Sequence, residues 1–207
     1  MALGLGWILG FAAILPREAA AQTLTIAETE ALVRAVHFEG LPEDEARRIG
    51  PAGAGRLIEI LNDPAEGSAH ANALMALGLC GQPGAFQAIR AWASAPREGE
   101  IDRDTFRAWQ ALPYALGHVG RRDRRAVARL EALIDAKSPK WTFRHHRGAR
   151  LRRLARRAAA TALAVSGLPE AGEVLDRARQ RGGDVEFEAH LRSARALHRR
   201  RAAARAR

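Results

Sequence analysis

Apolar residues along this chain fall at helical spacing, in stretches that come in pairs. After Gly50-Pro51, the residues Ala54, Leu57, Ile58 and Leu61 stand at i, i+3, i+4 and i+7, and Asn62-Asp63-Pro64 stops the run. A second stretch starts at a Ser68 cap with Ala71, Leu74 and Leu77, turns over Gly81 to Gly84, and returns through Phe86, Ile89 and Trp92. A third opens near Asp102 or Asp104, passes Phe106, Trp109, Leu112 and Leu116, and returns through Val127, Leu130 and Ile134. Pro113 falls inside its first arm, where a lost backbone bond predicts a kink. The fourth runs out through Leu151, Leu154, Ala158 and Val165 and back, past Gly167-Leu168-Pro169, through Val174, Leu175 and Ala178. Residues 26–38 are expected to open the stack, and a helix with Val185, Phe187, Leu191 and Ala194 to close it.

The outbound arms end in one recurring phrase: Ala76-Leu77-Gly78-Leu79-Cys80-Gly81, Ala115-Leu116-Gly117-His118-Val119-Gly120, and a degraded copy, Ala162-Leu163-Ala164-Val165-Ser166-Gly167. Small residues late in a helix let a neighbour approach closely, and a closing glycine permits the left-handed cap that reverses the chain. On these residues the chain resembles the HEAT-like repeat family, in the short form known from bilin-lyase-type repeats, over roughly residues 41–182. The resemblance implies an all-α fold, an α-solenoid of stacked antiparallel helix pairs, and says almost nothing about activity. The phrases start 39 and then 47 residues apart, against a compact unit of about 31 from Ile49-Gly50 to Cys80-Gly81. Insertions are therefore expected after the second and third units, the latter over residues 137–150.

Composition agrees with helices: aromatics are 5% and alanine is abundant, which suits close helix packing better than a sheet. Residues 3–15 form an uncharged, mostly apolar run ended by Pro16, and Ala19-Ala20-Ala21 offers the small-residue pattern of a cleavage site. Thirteen residues as a helix span roughly 20 Å, short of the ~30 Å hydrocarbon core. The expectation is a signal peptide over 1–21, a mature start at Gln22 and a periplasmic or secreted product, although no Lys or Arg precedes the run. An uncleaved anchor is the competing reading. Cys80, the single cysteine, excludes an internal disulfide and reads as a small buried hydrophobe.

Charge is lopsided. The net formal charge is +10, but residues 1–120 hold 9 basic against 14 acidic side chains (−5) and residues 121–207 hold 24 against 9 (+15). The densest chemistry lies in the 137–150 insertion, where Trp141 and Phe143 sit beside Arg144, His145, His146, Arg147 and Arg150, with Arg153 following. Basic groups next to aromatics suit anionic sugars, phosphates or an acidic protein surface, and insertions in solenoids decorate one face. The plainer reading has the two aromatics filling the gap left by a longer connection. Arg147, Arg150 and Arg157 share one helical sector and Leu151, Leu154 and Ala158 another, which predicts an amphipathic helix with a cationic solvent face. Residues 199–207, with five arginines, are expected to fray.

His145 and His146 are adjacent and point different ways on a helix, so they are not read as metal ligands. No G-x-S-x-G, H-E-x-x-H or Walker-type loop occurs, and no cofactor is expected. Two functions follow. The first is an exported, non-enzymatic module that binds a protein partner not yet identified. The second is binding of an anionic envelope polymer or surface, such as lipopolysaccharide, acidic glycan or anionic lipid, by the basic half. Nucleic acid is a partner only if the leader is retained.

Overall fold

Local chemistry sets most of the helix ends. The computed structural model describes residues 22–97, 101–135 and 148–206. Helix α1 (Ile26–Arg34) begins at Thr25, whose hydroxyl accepts from the Glu28 N–H at 3.2 Å while the Glu28 carboxylate accepts from the Thr25 N–H at 2.8 Å. A short α2 (Glu43–Arg47) precedes α3 (Pro51–Asn62), which has Pro51 in its first turn, where the missing N–H costs nothing. The chain then makes a 3-10 turn over Pro64–Ala69, started by Asp63, which accepts from the Ala65 N–H at 2.8 Å. Ser68 is inside that turn and caps nothing; α4 (His70–Cys80) follows Ala69 directly.

Gly81 (φ 56°) and Gly84 (φ 88°) both take left-handed backbone, and the chain reverses into α5 (Ala85–Ser94). Asp102 caps α6 (Arg103–Val119) by accepting from the Thr105 N–H at 2.7 Å, and α6 continues unbroken through the buried Pro113. After α6 the expected left-handed glycine is absent: Gly120 has φ −53°, and a tight turn over residues 120–123 leads into α7 (Arg125–Ile134). Then come α8 (Gly148–Ser166), α9 (Pro169–Gln180), with Gly167 at φ 65° between them, and α10 (Val185–Arg205), capped by Asp184. The segment expected to fray is helical as far as Arg205. Among the described residues there is no strand, only an isolated bridge between Leu24 and Ile49.

The helices that carry the repeated phrase pack on one another: α4 on α6, and α6 on α8, which in turn packs on α10. The returning arms lie against them, with α3 on α4 and α5, α7 on α8 and α9, and α9 on α10. Contact in the phrase row is at backbone distance. A Cβ added to Gly78 would stand 2.7 Å from the Ala115 carbonyl oxygen, and one added to Gly117 would stand 2.7 Å from that of Ala162. The third residue of each phrase thus meets the first residue of the next, which explains why small side chains recur at both positions.

One apolar cluster runs from Leu32 in α1 to Ala194 in α10, and a smaller one joins Trp109 of α6 to Leu151 and Ala155 of α8. Two histidines serve as buried ties. His70 Nε2 lies 2.9 Å from the Ile60 carbonyl and its Nδ1 accepts from the Trp92 indole N–H at 3.3 Å, joining α3, α4 and α5. His198 Nε2 reaches the Leu168 carbonyl at 2.7 Å, fixing α10 to the start of α9. Several apolar positions expected inside differ: Leu154 is 38% exposed and Val185 83% exposed, and Ile58, Ala71, Phe106, Ala158 and Val165 are only partly buried.

Candidate functional site

Of the residues expected to bind, Trp141, Phe143, Arg144, His145, His146 and Arg147 lie outside the described residues. Arg150 and Arg153 occupy the first turns of α8 and are exposed, without a carboxylate partner among the described residues. With Leu154, Arg157 and Glu186 they line a shallow depression of about 470 Å³. Arg157 donates to Glu186 at 2.5 Å, so the free cations there are Arg150 and Arg153.

The face assignment of α8 needs correcting. Its buried side is Leu151, Ala155, Ala159, Ala162, Leu163 and Ser166, and Leu154 stands among the arginines instead. Alanines fill much of that buried side, and at Ala162 the close approach of α6 at Gly117 requires a small residue. Larger apolar residues thus mislead about which side is inside.

A second cationic site, formed at the opposite end of α8, comes from residues far apart in sequence. The phrase glycines Gly81, Gly120 and Gly167 mark the C-terminal ends of α4, α6 and α8. Arg121 and Arg122 follow directly after α6. Arg122 Nη1 donates to the Cys80 carbonyl at 2.6 Å and the Gly81 carbonyl at 3.0 Å, and Arg121 Nη2 donates to the Val165 carbonyl at 3.2 Å. Each guanidinium therefore caps a neighbouring helix, where orphan carbonyls and the negative end of the dipole favour a cation.

From α10, Arg201 and Arg205 approach one turn apart; Arg201 lies so near Gly167 that an added Cβ there would be 3.3 Å from its backbone. These four arginines, with Val165 and Ser166, line a cleft of about 500 Å³. None of the four has a carboxylate partner among the described residues.

The electrostatics register this crowding. Burial, then the charges of Arg201 and Arg47, hold the Arg121 guanidinium below its ordinary value, with Glu43 opposing. His118, beside it at the end of α6, is pushed down to about 4 by burial first and by Arg121 second, so its imidazole is neutral at pH 7. Burial also pushes up the thiol of Cys80, which is 2% exposed and hydrogen-bonds the Leu77 carbonyl. Among the described residues no three His, Cys, Asp or Glu side chains stand together as a metal ligand set.

Sequence reasoning missed this cleft because Arg121 and Arg201 are 80 positions apart. The readable signal was positional, an Arg-Arg pair directly after the closing glycine of the middle phrase. Comparison with protein families, curated proteins and solved structures gives no match to this chain.

Proposed function

We propose that the chain is an exported, non-enzymatic α-solenoid of HEAT-like helix pairs that docks a partner protein of acidic surface on the N-terminal end of α8. Support for the solenoid comes from the phrase-to-phrase contacts at Gly78–Ala115 and Gly117–Ala162 and from the serial packing of α4 on α6, α6 on α8 and α8 on α10. Support for export is the apolar run and the small-residue site before Gln22.

One observation carries the docking surface: Leu154, 38% exposed, is set among Arg150, Arg153 and Arg157. An apolar anchor ringed by cations is the chemistry of a protein interface, in which the anchor supplies affinity and the charges supply steering. A polymer held by charge alone has no use for the leucine. The sequence holds no catalytic motif, and the proposed role requires none.

The test is capture from an envelope extract with the wild-type protein, Leu154→Ser and Arg150→Gln/Arg153→Gln. An acidic partner retained by the wild type, weakened in both variants and still bound at high salt supports docking. Binding that vanishes at high salt and ignores Leu154→Ser supports the anionic polymer or surface instead. N-terminal sequencing of the cellular product tests export, with a start at Gln22 expected and a retained Met1 contradicting it.

A further inference from the structure

We propose that the cleft between Arg121, Arg122, Arg201 and Arg205 binds a compact phosphate group carrying two or more negative charges. It lies at the far end of α8 from the docking surface, about 18 Å along the helix from Arg153 to Val165, and stands independently of the reading above.

The argument begins with unspent charge. Capping is the competing explanation, and it accounts for part of what these arginines do. Arg121 and Arg122 touch the ends of α8 and α4, and a helix end carries roughly half a negative charge. Four helix ends at this edge, those of α4, α6, α8 and α10, therefore offset about 2 of four positive charges and leave an excess of about 2. Arg47 also lies close enough to act on His118 and Arg121, but it is paired with Glu43 and Asp44 on α2, so that cluster does not supply the missing anion.

Unused donors are the second step. Each guanidinium offers five N–H groups. Arg121 uses one nitrogen on Val165, Arg122 uses one on the end of α4, and Arg201 and Arg205 have no hydrogen-bond or ion-pair partner among the described residues. Arg201 and Arg205 lie one turn apart in the last turns of α10, where the negative end of the helix favours both but their like charges repel, and an anion lying across them relieves that repulsion.

The third step is shape. Guanidinium forks match the oxygens of a phosphate two at a time, and donors arriving from two elements surround a tetrahedral group better than a planar carboxylate. A cleft of about 500 Å³ lies within the usual range for small ligands. A free phosphorylated compound and a phospholipid headgroup present the same chemistry here, and the experiment separates them.

Pyrophosphate is titrated into the full-length protein by calorimetry, in buffer with sodium chloride matched for ionic strength. The expected result is saturable binding, weakened about tenfold or more in Arg201→Gln/Arg205→Gln and partly restored in Arg201→Lys/Arg205→Lys, which keep the charge but not the fork. Both replaced side chains are exposed, so the double variant keeps its helical circular dichroism. Arg150→Gln/Arg153→Gln is expected to bind pyrophosphate like the wild type.

A second arm sediments the protein with phosphatidylcholine vesicles with and without phosphatidic acid. Vesicle recovery that needs phosphatidic acid and is reversed by pyrophosphate identifies a headgroup; pyrophosphate binding without vesicle recovery identifies a soluble ligand. No binding in either arm overturns the proposal. So does pyrophosphate affinity unchanged in Arg201→Gln/Arg205→Gln, or lowered equally by Arg150→Gln/Arg153→Gln, since nonspecific charge would then explain it.

Discussion

Gly78 and Gly117 show what a missing side chain does in this protein. Each faces the backbone of the next phrase helix rather than a movable side chain, so a methyl group there must push two helices apart. Gly78→Ala and Gly117→Ala are each expected to destabilise by about 1–3 kcal/mol despite alanine's better helix propensity, as overpacked cores do. Gly120 occupies the same place in its phrase as Gly81 but has ordinary right-handed backbone, so Gly120→Ala should change stability by less than ~0.5 kcal/mol. Urea denaturation of the three variants checks the ordering, and a costly Gly120→Ala would contradict it. His118 supplies a pH dependence of known sign. Its folded value of about 4 lies below the ordinary value of 6.5, so the unfolded chain binds more protons between those limits and stability falls as pH drops from about 6.5 to 4. His118→Gln should remove at most about 3 kcal/mol of that fall, read as a flatter plot of urea midpoint against pH. An unchanged slope would mean that the imidazole is accessible to protons in the folded state.

Among the helices, α8 separates what was readable in the sequence from what was not. Ends set by local chemistry were legible: Gly50-Pro51 before α3, Gly81 to Gly84 after α4, Asp102 before α6 and Pro169 opening α9. The inward face of α8 was hidden because its depth is set by α6, and a row of alanines at 155, 159 and 162 carries a weaker signal than Leu154 on the outer side. The same non-local cause hid the arginine cleft, which exists only once α6, α8 and α10 lie side by side, whereas Arg150 was legible on an exposed basic face from helical spacing alone. Truncation separates the two kinds of leucine. Leu116, 1% exposed, should cost about 2–5 kcal/mol as Leu116→Ala, against less than ~0.5 kcal/mol for Leu154→Ala. Thermal melts decide it, and comparable losses would mean that Leu154 is covered in the folded protein.

At the scale of the whole molecule, the most extensive contacts run in series, α4 on α6, α6 on α8 and α8 on α10, each helix meeting the next but one in the chain. The core is continuous from α1 to α10. In the proposed solenoid stability is a sum of unit and interface contributions, and a lesion is felt locally before it is felt globally. Leu77, fully buried in α4, lies near one end of the row. Leu77→Ala should therefore lower amide-exchange protection in α3, α4 and α6 by the full cost of the cavity, about 2–5 kcal/mol, while amides of α9 and α10 keep most of their wild-type protection. A single cooperative domain predicts the opposite, an equal loss in every slowly exchanging amide. Native-state hydrogen exchange resolved by helix distinguishes the two, and a uniform loss would count against the proposed solenoid.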